Sequence, residues 1–322
     1  MSRPSDATDE RLMSKVSVLY YLQGLNQRQI ADRLHLSRPK VSRLLQQARD
    51  RNIVQISVRS PEGYFVDLEA EFEDRFNLEE VLITASGPVE ANGEMPLLKR
   101  QIGAAAADYL RRTVADGDLL GVTWGTTLQA MMRALPPIET EDVHIVQMLG
   151  GVGPPEAEAH AADLSRRLAH LLEGRLTALP TPGVVEGPQA REVLLSDRHT
   201  QAAFELFPKL TTAYVGIGAL STNPIFEDDP AVPQHVYDDL VASGAVGDIA
   251  LRFFDADGQA VRSSLDDRLI GITLEQLTDA DVVVGVAGGP QKVHAIRGAL
   301  KGKLIDVLIT DHTTASRIAE DF

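Results

Sequence analysis

The chain has 322 residues, 44% of them hydrophobic, and a formal net charge of −15, which gives length and apolar content for a sizeable core in two or more domains. It contains no cysteine, which excludes disulfides and thiolate-ligated metal sites. The opening MSRPSDATDER has no apolar core of secretory type, and no apolar run approaches the roughly 18 residues of a membrane span; a cytoplasmic location is expected.

Residues 1–10 read as a polar, unstructured lead. Arg11 to Gly24 reads as a helix, with Leu12, Val16, Leu19, Tyr20 and Leu22 as its packing face and Gly24 as the C-cap residue. Then comes LNQRQIADRLHLSRPKVSRLLQQ. Gln27 to Leu34 forms a short helix with Ile30 and Leu34 inward, and the small Ala31 sits where two helices would cross. His35 and Leu36 make a turn. Ser37 stands at the N-cap position and Pro39 in the first turn, both favourable there. From Ser37 to Asp50, Val41, Leu44, Leu45 and Ala48 recur at helical spacing. The opposite face carries Arg38, Lys40, Ser42, Arg43, Gln46 and Gln47, which are side chains suited to phosphates and base edges. This is the pattern of a helix-turn-helix, with the second helix placed for the major groove. The bland alternative is an αα-hairpin with a solvated basic face. The coincidence of cap, turn, crossing residue and one-sided charge favours DNA. The predicted DNA-binding residues are Gln27, Ser37, Arg38, Lys40, Ser42, Arg43, Gln46 and Gln47. Ile53 to Arg59 reads as a short strand, a wing, with Arg59 in reach of a phosphate.

The overall acidity does not contradict this. Residues 1–60 hold 11 basic and 5 acidic side chains, and the remainder holds 20 and 41. The positive potential is confined to the segment with the motif, and the acidic body should face away from DNA. Pro61 and Gly63 mark a break, giving domains 1–60 and 61–322.

Beyond the break, Leu68, Phe72 and Phe76 share one helix face, and a strand begins at Glu80–Thr84. Helices are predicted over 99–114, 127–135, 159–172, 192–207 (in two pieces), 232–242, 291–300 and 314–321. Strands alternate with them at 118–124, 143–149, 175–179, 212–217, 249–255, 281–286 and 304–309. Short apolar strands alternating with helices predict an α/β, doubly wound, mostly parallel sheet. Ligands in such sheets bind beyond the carboxyl ends of the strands. Five glycine- or threonine-rich loops fall there: VTWGTTL, QMLGGVG, VGIGAL, VAGGPQK and ITDHTTA. Each alone is most simply a tight turn; five on one sheet edge predict a pocket. In the first, Gly125, Thr126 and Thr127 precede a helix, an arrangement that suits a phosphate. None fits GxGxxG or GxxxxGK[ST], so a nucleotide ligand is disfavoured and no cofactor is expected. Trp124 and His294 read as packing or surface residues, and His144 and His160 lack metal-ligand spacing.

These segments resemble the SorC/DeoR family of sugar-responsive bacterial transcription regulators. The resemblance runs from about Arg11 to Ala319. It rests on GLNQRQIADRLHLSRPKVSRLL, WGTTL, VQMLGG, GIGAL, GAVGDIALRFFDADG and AGGPQKVHAIRGALKGKLIDVLITD. It implies an effector domain like the sugar-phosphate isomerase and CoA-transferase fold, homo-tetramers built as dimers of dimers, and release of operator DNA by a phosphorylated sugar. Carried over by position, the resemblance implies Thr126 and Thr127 on the phosphate with Gly125 allowing close approach, and Lys292 as the positive charge. It implies Asp248 on sugar hydroxyls, Gln147, Gly150 and Gly151 along the pocket, and Leu128 in its apolar wall. Met148 and Leu149 stand where some members place a basic residue, which favours a ligand with one phosphate. The competing readings are a sugar-phosphate isomerase-like enzyme with Asp248 or Asp311 as base, and a regulator with a vestigial pocket.

Overall fold

The computed structural model describes residues 4–56, 63–87, 96–151, 155–223, 225–228 and 232–320. The chain divides into two compact units, Met1–Ser60 and Pro61–Phe322.

The first unit is helical. Helix α1 (Pro4–Ser17) begins inside the segment expected to be an unstructured lead, and continues into a π-helical turn, Val18–Leu22. That turn advances five residues rather than four per hydrogen bond, so the buried face slips. Val16 and Leu19 are buried and Tyr21 packs beside them. Tyr20 and Leu22, expected on the packing face, are exposed. Gly24 takes a left-handed φ of 69° and reverses the chain.

Helices α2 (Gln27–Leu34) and α3 (Arg38–Asp50) follow. Asn26 caps α2 in a full capping box: its side chain accepts from the Arg28 and Gln29 amides, and Gln29 Oε1 accepts from the Asn26 amide at 2.9 Å. Sequence reading did not find this cap, although Asn followed by Gln three residues later carries its signature. His35, at φ 54°, makes the turn, and the Ser37 side chain accepts from the Lys40 amide. Ile30, Ala31, Val41, Leu44, Leu45 and Ala48 close the core against Met13, Val16 and Leu19. The predicted wing strand does not form over residues 53–56. Asn52, at φ 55°, ends α3, and the Ile53 and Val54 amides both donate to the Ala48 carbonyl, folding these two side chains back onto the helical core. Arg59 lies outside the described residues.

The second unit opens with α4 (Val66–Phe76), which buries Phe72, and β1 (Glu80–Thr84). Then come α5 (Pro96–Thr113), β2 (Leu119–Val122), α6 (Thr126–Ala134), β3 (His144–Gln147), α7 (Pro155–Leu171) and β4 (Arg175–Thr177). Helices α8 (Pro188–Leu195) and α9 (Arg198–Phe204) lead to β5 (Thr212–Val215) and β6 (Gly218–Ala219). After α10 (Ile225–Asp228) and α11 (Gln234–Ala242) come β7 (Ala245–Ile249) and β8 (Arg252–Asp255). The chain ends with α12 (Leu274–Thr278), β9 (Val282–Val286), α13 (Val293–Lys301), β10 (Val307–Asp311) and α14 (His312–Ala319).

Seven strands form one sheet in the order β1-β10-β9-β5-β2-β3-β4, every described pairing parallel. Alternate residues face opposite layers, as the two-residue period of a strand requires. In β10, Leu308 joins one core with Phe72 and Ile318, while Val307 and Ile309 join the other with Leu110 and Met131. The chain runs from β2 outward to β4, then returns to place β5 on the other side of β2. The reversal of strand order leaves a crevice between β2 and β5, where the two following connections diverge.

The stretch expected as one strand over 249–255 is a hairpin. Strands β7 and β8 pair antiparallel, and β6 adds to β7, making a separate three-stranded sheet. Its two-residue turn is Ala250–Leu251, both at positive φ (54° and 61°). Hairpin turns of that shape ordinarily announce themselves with Asn-Gly or Asp-Gly; Ala-Leu gives no such signal.

Candidate functional site

A cavity of about 340 Å³ opens over the crevice. Four of the five predicted loops line it: Thr123–Thr127 after β2, Gly216–Ala219 after β5, Gly288, Gln291 and Lys292 after β9, and, through Leu149, the loop after β3. The antiparallel sheet adds Asp248, Ala250 and Leu251, and the turn before α10 adds Thr222 and Asn223. Leu98, Lys99 and Ile102 of α5 also line it.

Parallel strands set the spacing of these loops. The Thr123 hydroxyl accepts from the Gly216 amide at 3.4 Å, tying the end of β2 to the end of β5. Thr126 and Thr127 form the first turn of α6, Thr126 exposed and Thr127 buried. Their backbone N–H groups belong to a helix N-terminus, where unpaired donors and the helix dipole favour an anion. A Cβ built on Gly125 would meet nothing within 4 Å, so the approach to this turn is open.

Asp248 is buried in β7. Its carboxylate accepts from Asn223 Nδ2 at 2.8 Å and from the Leu251 amide at 3.0 Å, so it pins both the Asn223 turn and the left-handed hairpin. Gly218 pairs with it across the ladder, and a side chain at Gly218 would strike the carboxylate. Burial pushes the Asp248 pKa up; the Leu251 amide, Lys292 and Asn223 act against that. Lys292 stands in a 3-10 turn just before α13, and its Nζ donates to the Ile217 carbonyl at 2.7 Å. Burial lowers its pKa to about 8, against the stabilising charge of Asp248 and with a further push from Lys99. One ammonium donor is spent on Ile217, leaving two for a ligand.

Of the nine residues expected around the effector, the cavity brings together Gly125, Thr126, Thr127, Asp248 and Lys292. The other four lie elsewhere. Leu128 is packed in the core with Met131 and Leu110. Gln147 is turned inward, donating to the Leu149 carbonyl at 2.8 Å. Gly150 and Gly151 pair with Ile270 and Thr181, and an added Cβ at Gly150 would hit the Thr181 carbonyl. Among the described residues of that loop, Leu149 alone reaches the cavity. Trp124, expected to be packing, both packs on the core and lines the cavity.

Asp311 does not line the cavity. Its buried carboxylate caps α14 through the Thr314 amide, takes the Thr314 and Ser86 hydroxyls, and accepts from the Gly289 amide at 3.0 Å. It braces the loop that carries Lys292. Its neighbour His312 stacks on Phe65, ring centroids 4.2 Å apart. Sequence reading missed Lys99, Thr222 and Asn223, which no motif marked. Among the described residues no cluster of metal-ligating side chains occurs, and no helix is long and apolar enough to cross a membrane.

In the first unit, Ser37, Arg38, Lys40, Ser42, Arg43 and Gln46 are exposed on α3 or its cap, and Gln27 and Gln47 are half-buried. Gln46 is already engaged, donating to Asp50 at 2.9 Å and accepting from Arg49 at 2.6 Å.

Residues 62–320 match the family described as "Putative sugar-binding domain". The chain is 32% identical to the deoxyribonucleoside regulator of Bacillus subtilis (strain 168), over 98% of this chain and 99% of that one. It is 28% identical to the erythritol catabolism regulatory protein EryD of Brucella abortus (strain 2308), over 96% of each. The crystal structure of the full-length sorbitol operon regulator SorC from Klebsiella pneumoniae superposes with a TM-score of 0.71 at 27% identity, covering 99% of both chains. A sugar-binding domain in a chain related along its whole length to regulators makes this a transcriptional regulator rather than an enzyme. Within that class, it belongs to the SorC/DeoR family of sugar-binding bacterial transcriptional regulators.

Proposed function

We propose that this regulator binds operator DNA through α2 and α3, read as a helix-turn-helix, and is released when a phosphorylated sugar fills the strand-end cavity. The observation that carries this is the convergence of the α6 N-terminus with Lys292 and Asp248 in one cavity. A phosphate monoester carries about −1.5 to −2 charge and three strong acceptors. The open first turn of α6 offers backbone donors and Lys292 a cation. Asp248, with two hydrogen bonds already accepted, keeps lone pairs for sugar hydroxyls. A free sugar would leave the donors at α6 unpaired.

In this reading α3 enters the major groove, with Arg38, Lys40, Ser42 and Arg43 toward the DNA and Ser37 and Gln27 near phosphates. Gln47 sits lower on the same face, and Gln46 is held ready by Arg49 and Asp50. The protein acts as a repressor and as a homo-tetramer, a dimer of dimers. The ligand shifts the spacing of paired recognition helices away from half-sites one DNA turn apart. Moving such an equilibrium between extremes takes about 5.5 kcal/mol of differential binding, which several sites in an oligomer share.

The test is fluorescence anisotropy on the DNA upstream of the protein's own operon, with sugars and their phosphate esters added in pairs. Release by an ester and not by its parent sugar supports the reading. Release by free sugars alone overturns the phosphate assignment. Arg43→Ala should weaken operator binding by about 1–3 kcal/mol if the side chain reads a base; unchanged affinity argues against this docking.

A further inference from the structure

Helices α5 and α6 pack with their backbones in contact. A Cβ added to Gly103 would fall 2.6 Å from the Met131 amide nitrogen and 2.7 Å from the Ala130 carbonyl carbon, so only glycine permits this approach. One turn before Gly103 on α5 stands Lys99. One turn before Ala130 and Met131 on α6 stand Thr126 and Thr127. Residues four apart share a helix face, and all three side chains line the cavity. Leu98 and Ile102, flanking Lys99, are buried and hold the helix in rotation. Lys99 itself is half-buried and has no carboxylate partner among the described residues.

We infer that Lys99 is a second cationic contact for the phosphate, so that one phosphate dianion sits at the first turn of α6 between the Lys99 and Lys292 ammonium groups. This rests on the phosphate reading above and deepens it. Two lysines balanced by one buried carboxylate leave the cavity about one positive charge in excess when all three are ionised. That excess suits a single dianionic phosphate better than a neutral sugar or a sugar with two phosphates. The lowered pKa of Lys292, to which Lys99 contributes, agrees with two like charges facing one space. Lysine acts here as a movable point charge, and the rigid α5–α6 contact limits where that point can be. Lys99 therefore selects for charge at the phosphate end, while Asp248 and Asn223 meet the hydroxyl end.

The experiment titrates inorganic phosphate, then ribose 5-phosphate and ribose, into the full-length protein and into Lys99→Gln and Lys99→Arg, read by calorimetry and thermal unfolding. The unliganded midpoints report whether each variant is folded. The expected result is at least a tenfold loss of phosphate affinity in Lys99→Gln, with Lys99→Arg within about threefold of the parent protein. If phosphate binds the parent protein and Lys99→Gln equally, the role of Lys99 is overturned and the phosphate reading survives. If neither inorganic phosphate nor the ester binds the parent protein, both fall. If Lys99→Gln does not fold, Lys99→Arg and Lys99→Met carry the comparison: a methionine variant that retains parental affinity overturns the inference, and a tenfold loss in it, kept by arginine, supports it.

Discussion

At the Lys292 ammonium, burial removes water from the charge while Asp248 restores part of its stabilisation, and burial dominates, leaving the pKa at about 8. A bound phosphate dianion favours the charged form and raises that value again. Just above pH 8, ligand binding should therefore take up a proton, and affinity should fall as pH rises further. Calorimetry in buffers of different ionisation enthalpy checks this, and heats that do not depend on the buffer would remove Lys292 from the phosphate contact. The ligand-free protein follows the same linkage. Between about 8 and the ordinary lysine value of 10.5 the unfolded state binds more protons, so this group makes the fold more stable as pH rises through that window. Asp311 acts by a different route. Four donors converge on its buried carboxylate, and an amide would turn two of its own donors toward them. Asp311→Asn should cost about 2–4 kcal/mol, seen as a lower urea midpoint at constant slope. The wiring of Asp311 was only partly legible in sequence: the bonds from Thr314 lie within the first turn of α14, whereas Ser86 and Gly289 come from two distant connections.

Elements carry the next level of constraint. The α5–α6 contact depends on Gly103, and Gly103→Ala should destabilise by about 1–3 kcal/mol through overpacking against backbone. Because Lys99 and Thr126 stand one turn away, the same change should also weaken ligand binding in the folded fraction; thermal unfolding with and without ligand separates the two effects. The hairpin between β7 and β8 makes a contrasting case. Ala250 is held at φ 54°, a conformation that costs an L-residue about 1–2 kcal/mol. Ala250→Gly should raise stability by a few tenths to about 1 kcal/mol, after the entropy cost of glycine is subtracted. A loss instead would show that the buried methyl contributes more than the strain costs. Helix bounds were mostly legible, because caps and apolar spacing are local. The π-helical turn at Val18–Leu22 and the Ala250–Leu251 turn were not, since neighbouring structure imposes both against local preference.

For the whole molecule, charge and packing divide at the same place. The helical unit has its own core around Val16, Ile30 and Leu45, and the α/β unit has two more, one on each face of its sheet. Residues 61–322 expressed alone should fold and keep the ligand-induced stabilisation, about 2.7 kcal/mol at a hundredfold excess over Kd, while losing DNA affinity. A fragment that unfolds would show that its stability depends on the helical unit. The sequence alone was enough to determine the three-helix unit with its basic face, the alternation of strands and helices, and the glycine-rich loops at the strand ends, because periodicity, caps and turn residues act over a few positions. Tertiary structure alone decided which loops share the cavity. Strand order puts β5 between β2 and β9, so the loops after those three strands converge, while the loop after β3 turns Gly150 and Gly151 into contacts with Ile270 and Thr181. It also brought in Lys99, Asn223 and Leu251, from elements that meet the site only once the sheet has closed its order and the small antiparallel sheet has folded over its edge.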